Sequence, residues 1–105
     1  MAGSRRMGTE NVLVDLGFPD AEELSAKAVL AKKINDIVLR RGLTQTEAAR
    51  LLGMPQPKVS AIRTYKLRGI SLERLMLALT ALGQNVEIVV TAARGKAPPR
   101  IDVAA

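Results

Sequence analysis

The 105-residue sequence contains no cysteine and no histidine. This excludes disulfides, thiolate and imidazole metal sites, and every mechanism built on a histidine base or a cysteine nucleophile. Aromatic residues are nearly absent as well, Phe18 and Tyr65 being the only two. A surface of base-stacking rings, of the kind that reads single strands or RNA, is therefore not expected. No apolar run approaches the roughly 20 residues that a membrane helix needs. Arg5 and Arg6 are followed by GTENVLVDLG and not by the continuous apolar stretch of a secretory signal. A soluble protein is expected, and a reducing, intracellular setting is the simplest fit for a chain without cysteine.

Positive charge is present in excess, and it is localised. The formal net charge is +6. Between residues 40 and 74 stand eight basic residues (Arg40, Arg41, Arg50, Lys58, Arg63, Lys66, Arg68 and Arg74) against two acidic ones, Glu47 and Glu73, while the rest of the chain carries eight of each sign. The whole excess thus falls in one third of the sequence, as a face that binds a polyanion requires. Charge alone is equally compatible with a solvated basic surface. The length allows one domain, near the size where burial leaves stability marginal and a partner subunit would help.

Residues 1–10, MAGSRRMGTE, are polar and read as a disordered arm, and 93–105, with two prolines and little periodicity, as a disordered tail. The folded domain is expected over 11–92. Within it NVLVDLGF, 11–18, alternates Val12, Val14 and Leu16 as a short strand would. Asp20 and Glu23 form a D-x-x-E capping box, after which Leu30, Ile34, Ile37 and Val38 recur at helical spacing until Gly42, predicting a helix over 21–41. A second box, Thr44 with Glu47, opens a helix of about eight residues closed by Gly53. A third helix runs from Gln56 to about Tyr65, Pro57 being tolerated in a first turn whose amides have no intrahelical partner. Ser71 caps a fourth, with Ile70 and Leu75 as a hydrophobic staple and Gly83 as its stop. VEIVVT, 86–91, is rich in β-branched residues and reads as a strand. A lone strand cannot stand in water, so it needs either the NVLVDL segment or the same strand of a second subunit.

Two short helices separated by about three residues with a glycine at the break are the signature of a helix-turn-helix. The motif needs a small residue where the helices approach, a glycine able to take positive φ, and a buried apolar residue in the second helix. Ala49, Gly53 and Val59 stand at those places, with Ala48, Leu52, Met54 and Ile62 filling other core positions.

The stretch LTQTEAARLLGMPQPKVSAIR resembles the helix-turn-helix of the phage-repressor-like Xre/Cro superfamily, and the longer run over 11–91 is similar to the small Xre-type antitoxins of bacterial toxin–antitoxin pairs. The resemblance implies a mainly α fold: a lambda-repressor-like bundle of four to five helices with its helix-turn-helix at 45–65 and a short C-terminal strand pairing across a dimer. It makes 56–65 the recognition helix, its N-terminal end in the major groove of double-stranded DNA. Gln56 is the foremost base reader, able to make a bidentate contact to adenine. Gln45 takes the place of a glutamine that touches phosphate and braces it. Lys58, Ser60, Arg63 and Thr64 face bases or phosphate, and Lys66 and Arg68 clamp the backbone. Pro57 and Ala61 stand where phage repressors place long polar side chains, and Pro57 offers only apolar contact, as to a thymine methyl.

The implied function is a sequence-specific regulator acting as a homodimer on an operator, an autorepressing antitoxin with a toxin partner, located in the cytoplasm of a prokaryote on its nucleoid. No cofactor or metal is expected. The alternative is a protein-interaction module that keeps the fold without binding DNA. An enzyme would have to use carboxylates and a metal, but Asp20, Glu23 and Glu47 have capping roles and Glu10, Asp15 and Asp102 lie outside the helical segments, so no catalytic activity is expected.

Overall fold

A computed structural model describes residues 21–105, which form four helices: α1 (Ala21–Arg40), α2 (Gln45–Leu52), α3 (Gln56–Arg63) and α4 (Leu72–Ala81). The expected arm over 1–10, the strand over 11–18 and the cap at Asp20 lie outside the described residues. Helix α1 buries Ala26, Leu30, Ile34 and Ile37 at steps of three and four residues, which places them on one stripe. That stripe packs chiefly against α4, while α2 packs against α3 and the pair leans on both long helices. The core is where the four meet, with Ile34, Ile37, Ile62, Leu75 and Leu82 shut off from solvent.

Local chemistry sets each boundary. The Thr44 hydroxyl accepts from the Glu47 N–H at 3.1 Å and the Glu47 carboxylate accepts from the Thr44 N–H at 2.8 Å, so the expected capping box is complete. The Ser71 hydroxyl likewise accepts from the Arg74 N–H at 3.0 Å, and Ile70 and Leu75 are both buried beside it. Gly53 adopts φ +66°, and the Met54 N–H turns back to the Ala49 carbonyl at 3.0 Å. That left-handed residue sends the chain from α2 into α3 within three residues.

Two expectations are corrected. The third helix ends at Arg63, not near Tyr65, because Tyr65 itself takes φ +59° and the Lys66 N–H closes onto the Ala61 carbonyl at 2.9 Å. An aromatic residue at a left-handed C-terminal stop is sterically costly, so nothing in its identity announces the stop. No strand forms over 86–91 among the described residues. A strand exists only through a ladder with a neighbour, and among the described residues the extended segment has none: Val86 rests half-buried on the core, while Ile88, Val89 and Val90 are 73%, 78% and 90% exposed. In the stretch that follows, Val103 packs against the core.

A Cβ added at Gly53 would meet no atom within 4 Å, so the cost of a side chain there comes from backbone strain alone. Gly53→Ala is expected to lower stability by about 1 kcal/mol, seen as an earlier denaturant midpoint at unchanged slope. The bonds from Thr44, backbone first and then side chain, hold the Glu47 carboxyl below its usual value of 4.5. A depressed folded value means that this stabilisation is complete above the unfolded value and disappears as pH falls through the folded one. Amide protection across α2 should therefore weaken on acidification, and Glu47→Gln, which keeps the box without the charge, should remove that acid-dependent part.

Candidate nucleic-acid interface

The face opposite the core on α3 follows from helix geometry. Val59 and Ile62 point inward, so Pro57, Ser60 and Thr64 fall on the far side, three and four residues apart. Gln56, Pro57, Lys58, Arg63 and Thr64 are exposed, as are Lys66 and Arg68 in the loop that follows. Ser60 is half-buried, and Ala61 is half-buried and packed against the core, so this alanine is turned partly into the fold.

The leading end of α3 is tied to α2 by a pair of glutamines. The Gln45 side-chain amide donates to the Gln56 carbonyl at 3.2 Å, and the Gln56 amide donates to the Thr46 hydroxyl at 3.2 Å. Gln45 thus braces the residue expected to read bases, through its main chain. Thr46, which supports the Gln56 side chain directly, is missing from the sequence-derived set: a hydroxyl in a first helical turn resembles any exposed threonine until the facing helix is in place. Pro55 stands at the N-cap without a side-chain bond, and its carbonyl accepts from the Lys58 N–H at 3.0 Å, so the first turn of α3 is closed by backbone alone.

Farther along, the site is held by carbonyl contacts. The Thr64 hydroxyl donates to the Ser60 carbonyl at 2.9 Å, and the Lys58 ammonium to the Gly69 carbonyl at 2.8 Å. The Asn35 amide of α1 donates to the Ile62 carbonyl at 3.0 Å, and the Lys27 ammonium, also of α1, to the Leu67 carbonyl at 3.1 Å. Neither Asn35 nor Lys27 is in the sequence-derived set, since their partners lie 27 and 40 residues away. On the outer side of α1, Lys32 pairs with Asp36 at 2.8 Å, and that bond and charge raise its pKa. Positive charge there is locally answered, whereas the stretch from Lys58 to Arg68 contains four cations and no acidic residue. Such a surface suits a regularly charged polyanion. No helix among the described residues is long and apolar enough to cross a membrane.

Over residues 12–91 the chain matches the family described as a helix-turn-helix domain. It is also similar to a solved structure whose name places it among XRE family transcriptional regulators. The two are 52% identical, with a TM-score of 0.76, and the match covers 83% of this chain and 99% of the other. No curated protein matches the chain.

The Asn35 brace is directly testable. Asn35→Ala removes one bond to a carbonyl near the end of α3 and should reduce stability by about 1 kcal/mol. Hydrogen exchange should be faster within 56–63 than within 72–81 in that variant relative to the parent.

Proposed function

The chain belongs to the helix-turn-helix family of XRE-type DNA-binding regulators, and we propose that it reads the major groove as a homodimer, with the N-terminal end of α3 as the reading edge. The observation that carries this is the pairing of Gln45 and Thr46 with Gln56 across a turn fixed by Gly53. It presents an exposed amide in a set orientation at the tip of a helix, which is what a bidentate contact to adenine demands. Gln56 is the base reader and Gln45 its support, within reach of the adjacent phosphate. Lys58, Ser60 and Arg63 contact base edges or backbone, and Pro57 gives apolar contact. Lys66 and Arg68 hold phosphates, and Thr64 joins them by turning its hydroxyl proton away from the Ser60 carbonyl. Ala61 contributes closeness of approach, since its methyl is too short to hold the helix away from the groove.

Dimerisation is supported by the segment over 88–90, which pairs with no strand among the described residues. Ile88, Val89 and Val90 in succession place apolar groups on both sides of an extended chain, and a copy related by a two-fold axis covers both and completes the missing ladder. Two reading helices then address half-sites about 34 Å apart. An antitoxin role in which the dimer represses its own operon, in the bacterial cytoplasm, is proposed on the likeness of residues 11–91 to small Xre-type antitoxins.

A gel shift on the DNA upstream of the coding sequence tests the reading. With about three phosphates neutralised per subunit, log affinity should fall against log salt with a slope near about −5. Gln56→Ala should cost about 1 to 3 kcal/mol on the operator and little on scrambled DNA, while equal affinity of the parent for both sequences would sink sequence-specific reading. The absence of native cysteine makes Ile88→Cys a clean probe of the dimer. Oxidation should link two chains through that position, and a chain that stays monomeric in sedimentation rules the dimer out.

A further inference from the structure

We infer that Lys27 is a positioning residue for the loop after α3: from inside the fold its ammonium holds the Leu67 carbonyl and thereby sets where Lys66 and Arg68 stand. The inference rests on the DNA-binding reading above and deepens it. Lys27 is only 4% exposed, an uncommon state for a lysine, because an ammonium taken out of water must find charged and polar partners. Among the described residues these are the half-exposed Glu23 carboxylate one turn before it, at 3.1 Å, and the Leu67 carbonyl, at 3.1 Å. A methionine would fill the same space without the desolvation penalty. What the ammonium adds is a charge-assisted bond from α1 to a carbonyl that otherwise accepts only from its own loop, the Ile70 N–H at 3.1 Å.

The loop makes that bond consequential. Leu67 and Ile70 are buried, while Lys66, Arg68 and Gly69 are exposed. The two cations therefore flank the residue whose carbonyl Lys27 grips, and a displacement at Leu67 carries both. From the other side Lys58 holds the Gly69 carbonyl. Lys58 is itself a proposed DNA contact and must divide its three donors between Gly69 and phosphate on binding. Lys27 is shielded from DNA by the fold and does not share that conflict, so it is the anchor that persists in the complex.

The test uses the full chain carrying Glu23→Gln with Lys27→Met, which keeps the net charge at the parent value and fills the same space. Operator affinity is measured across a salt series beside circular dichroism and thermal melting. The expected result is a folded protein whose salt slope is shallower by about one, with binding about fivefold weaker at physiological salt and the same preference for operator over scrambled DNA. Lys27→Arg in the parent, which keeps a cationic donor, should leave the slope at the parental value. Should the double variant not fold, Lys27→Gln, with a shorter neutral donor, is judged by the same slope. A lower melting temperature with parental slope and affinity would make Lys27 merely structural and overturn the inference while leaving DNA binding intact. A parent chain whose DNA affinity shows no salt dependence would overturn both.

Discussion

The placement of α3 depends on a single backbone conformation, the left-handed Gly53 between α2 and α3. It lets α2 stop by returning amides to its own last carbonyls and lets α3 begin three residues later, with no space for a flexible link. Ala49 and Val59 then lie close enough for their parent helices to share one buried seam, completed by Ala48, Leu52 and Ile62. Close packing tolerates few alternative arrangements, so the crossing angle is held as firmly as the core itself. The leading end of α3, the proposed reading edge, inherits that rigidity, because Gln56 is the first residue of α3 and is bonded back to Thr46.

A second level of order comes from α1 and the residue just beyond it. Asn35 reaches the Ile62 carbonyl near the end of α3, Lys27 the Leu67 carbonyl in the loop, and Arg41 the Leu82 carbonyl at the end of α4, at 2.6 Å. Helix C-termini leave carbonyls without intrahelical partners, and cations are favoured there by the helix dipole. One long helix therefore adds side-chain donors to carbonyls that the shorter elements bond only through their own turns. Its apolar stripe provides the burial, and these polar side chains set the register between α1 and the rest. Two cations of α1 are answered by acids one turn away, Lys27 by Glu23 and Lys32 by Asp36.

Among the apolar groups left outside this core, three stand in succession over 88–90. Three β-branched residues in a row cannot all be buried against a single surface, because alternate side chains leave an extended backbone on opposite sides. The proposed two-fold pairing resolves this, and it resolves at once the unpaired backbone groups of the segment. A small four-helix domain near the lower limit of self-sufficient burial gains most from such a shared surface.

Helix positions were legible in the sequence because their causes are local. The Thr44 and Glu47 box, the Ser71 cap and the glycines at 42, 53 and 83 each act within a few residues, and the expected helices agree with the observed ones to within about two residues. The motif and the side chains exposed on it followed, since Val59 and Ile62 alone orient α3. Tertiary structure alone decided the rest. Tyr65 takes a glycine's conformation because the buried Leu67 must turn back under α3; Ala61 is drawn partly inward; and VEIVVT stays extended without a ladder. The supports supplied by Lys27, Asn35 and Thr46 also emerged only there. A carbonyl at a helix end accepts from whichever donor the fold brings near, and short-range sequence patterns carry no record of a neighbour 27 or 40 residues away.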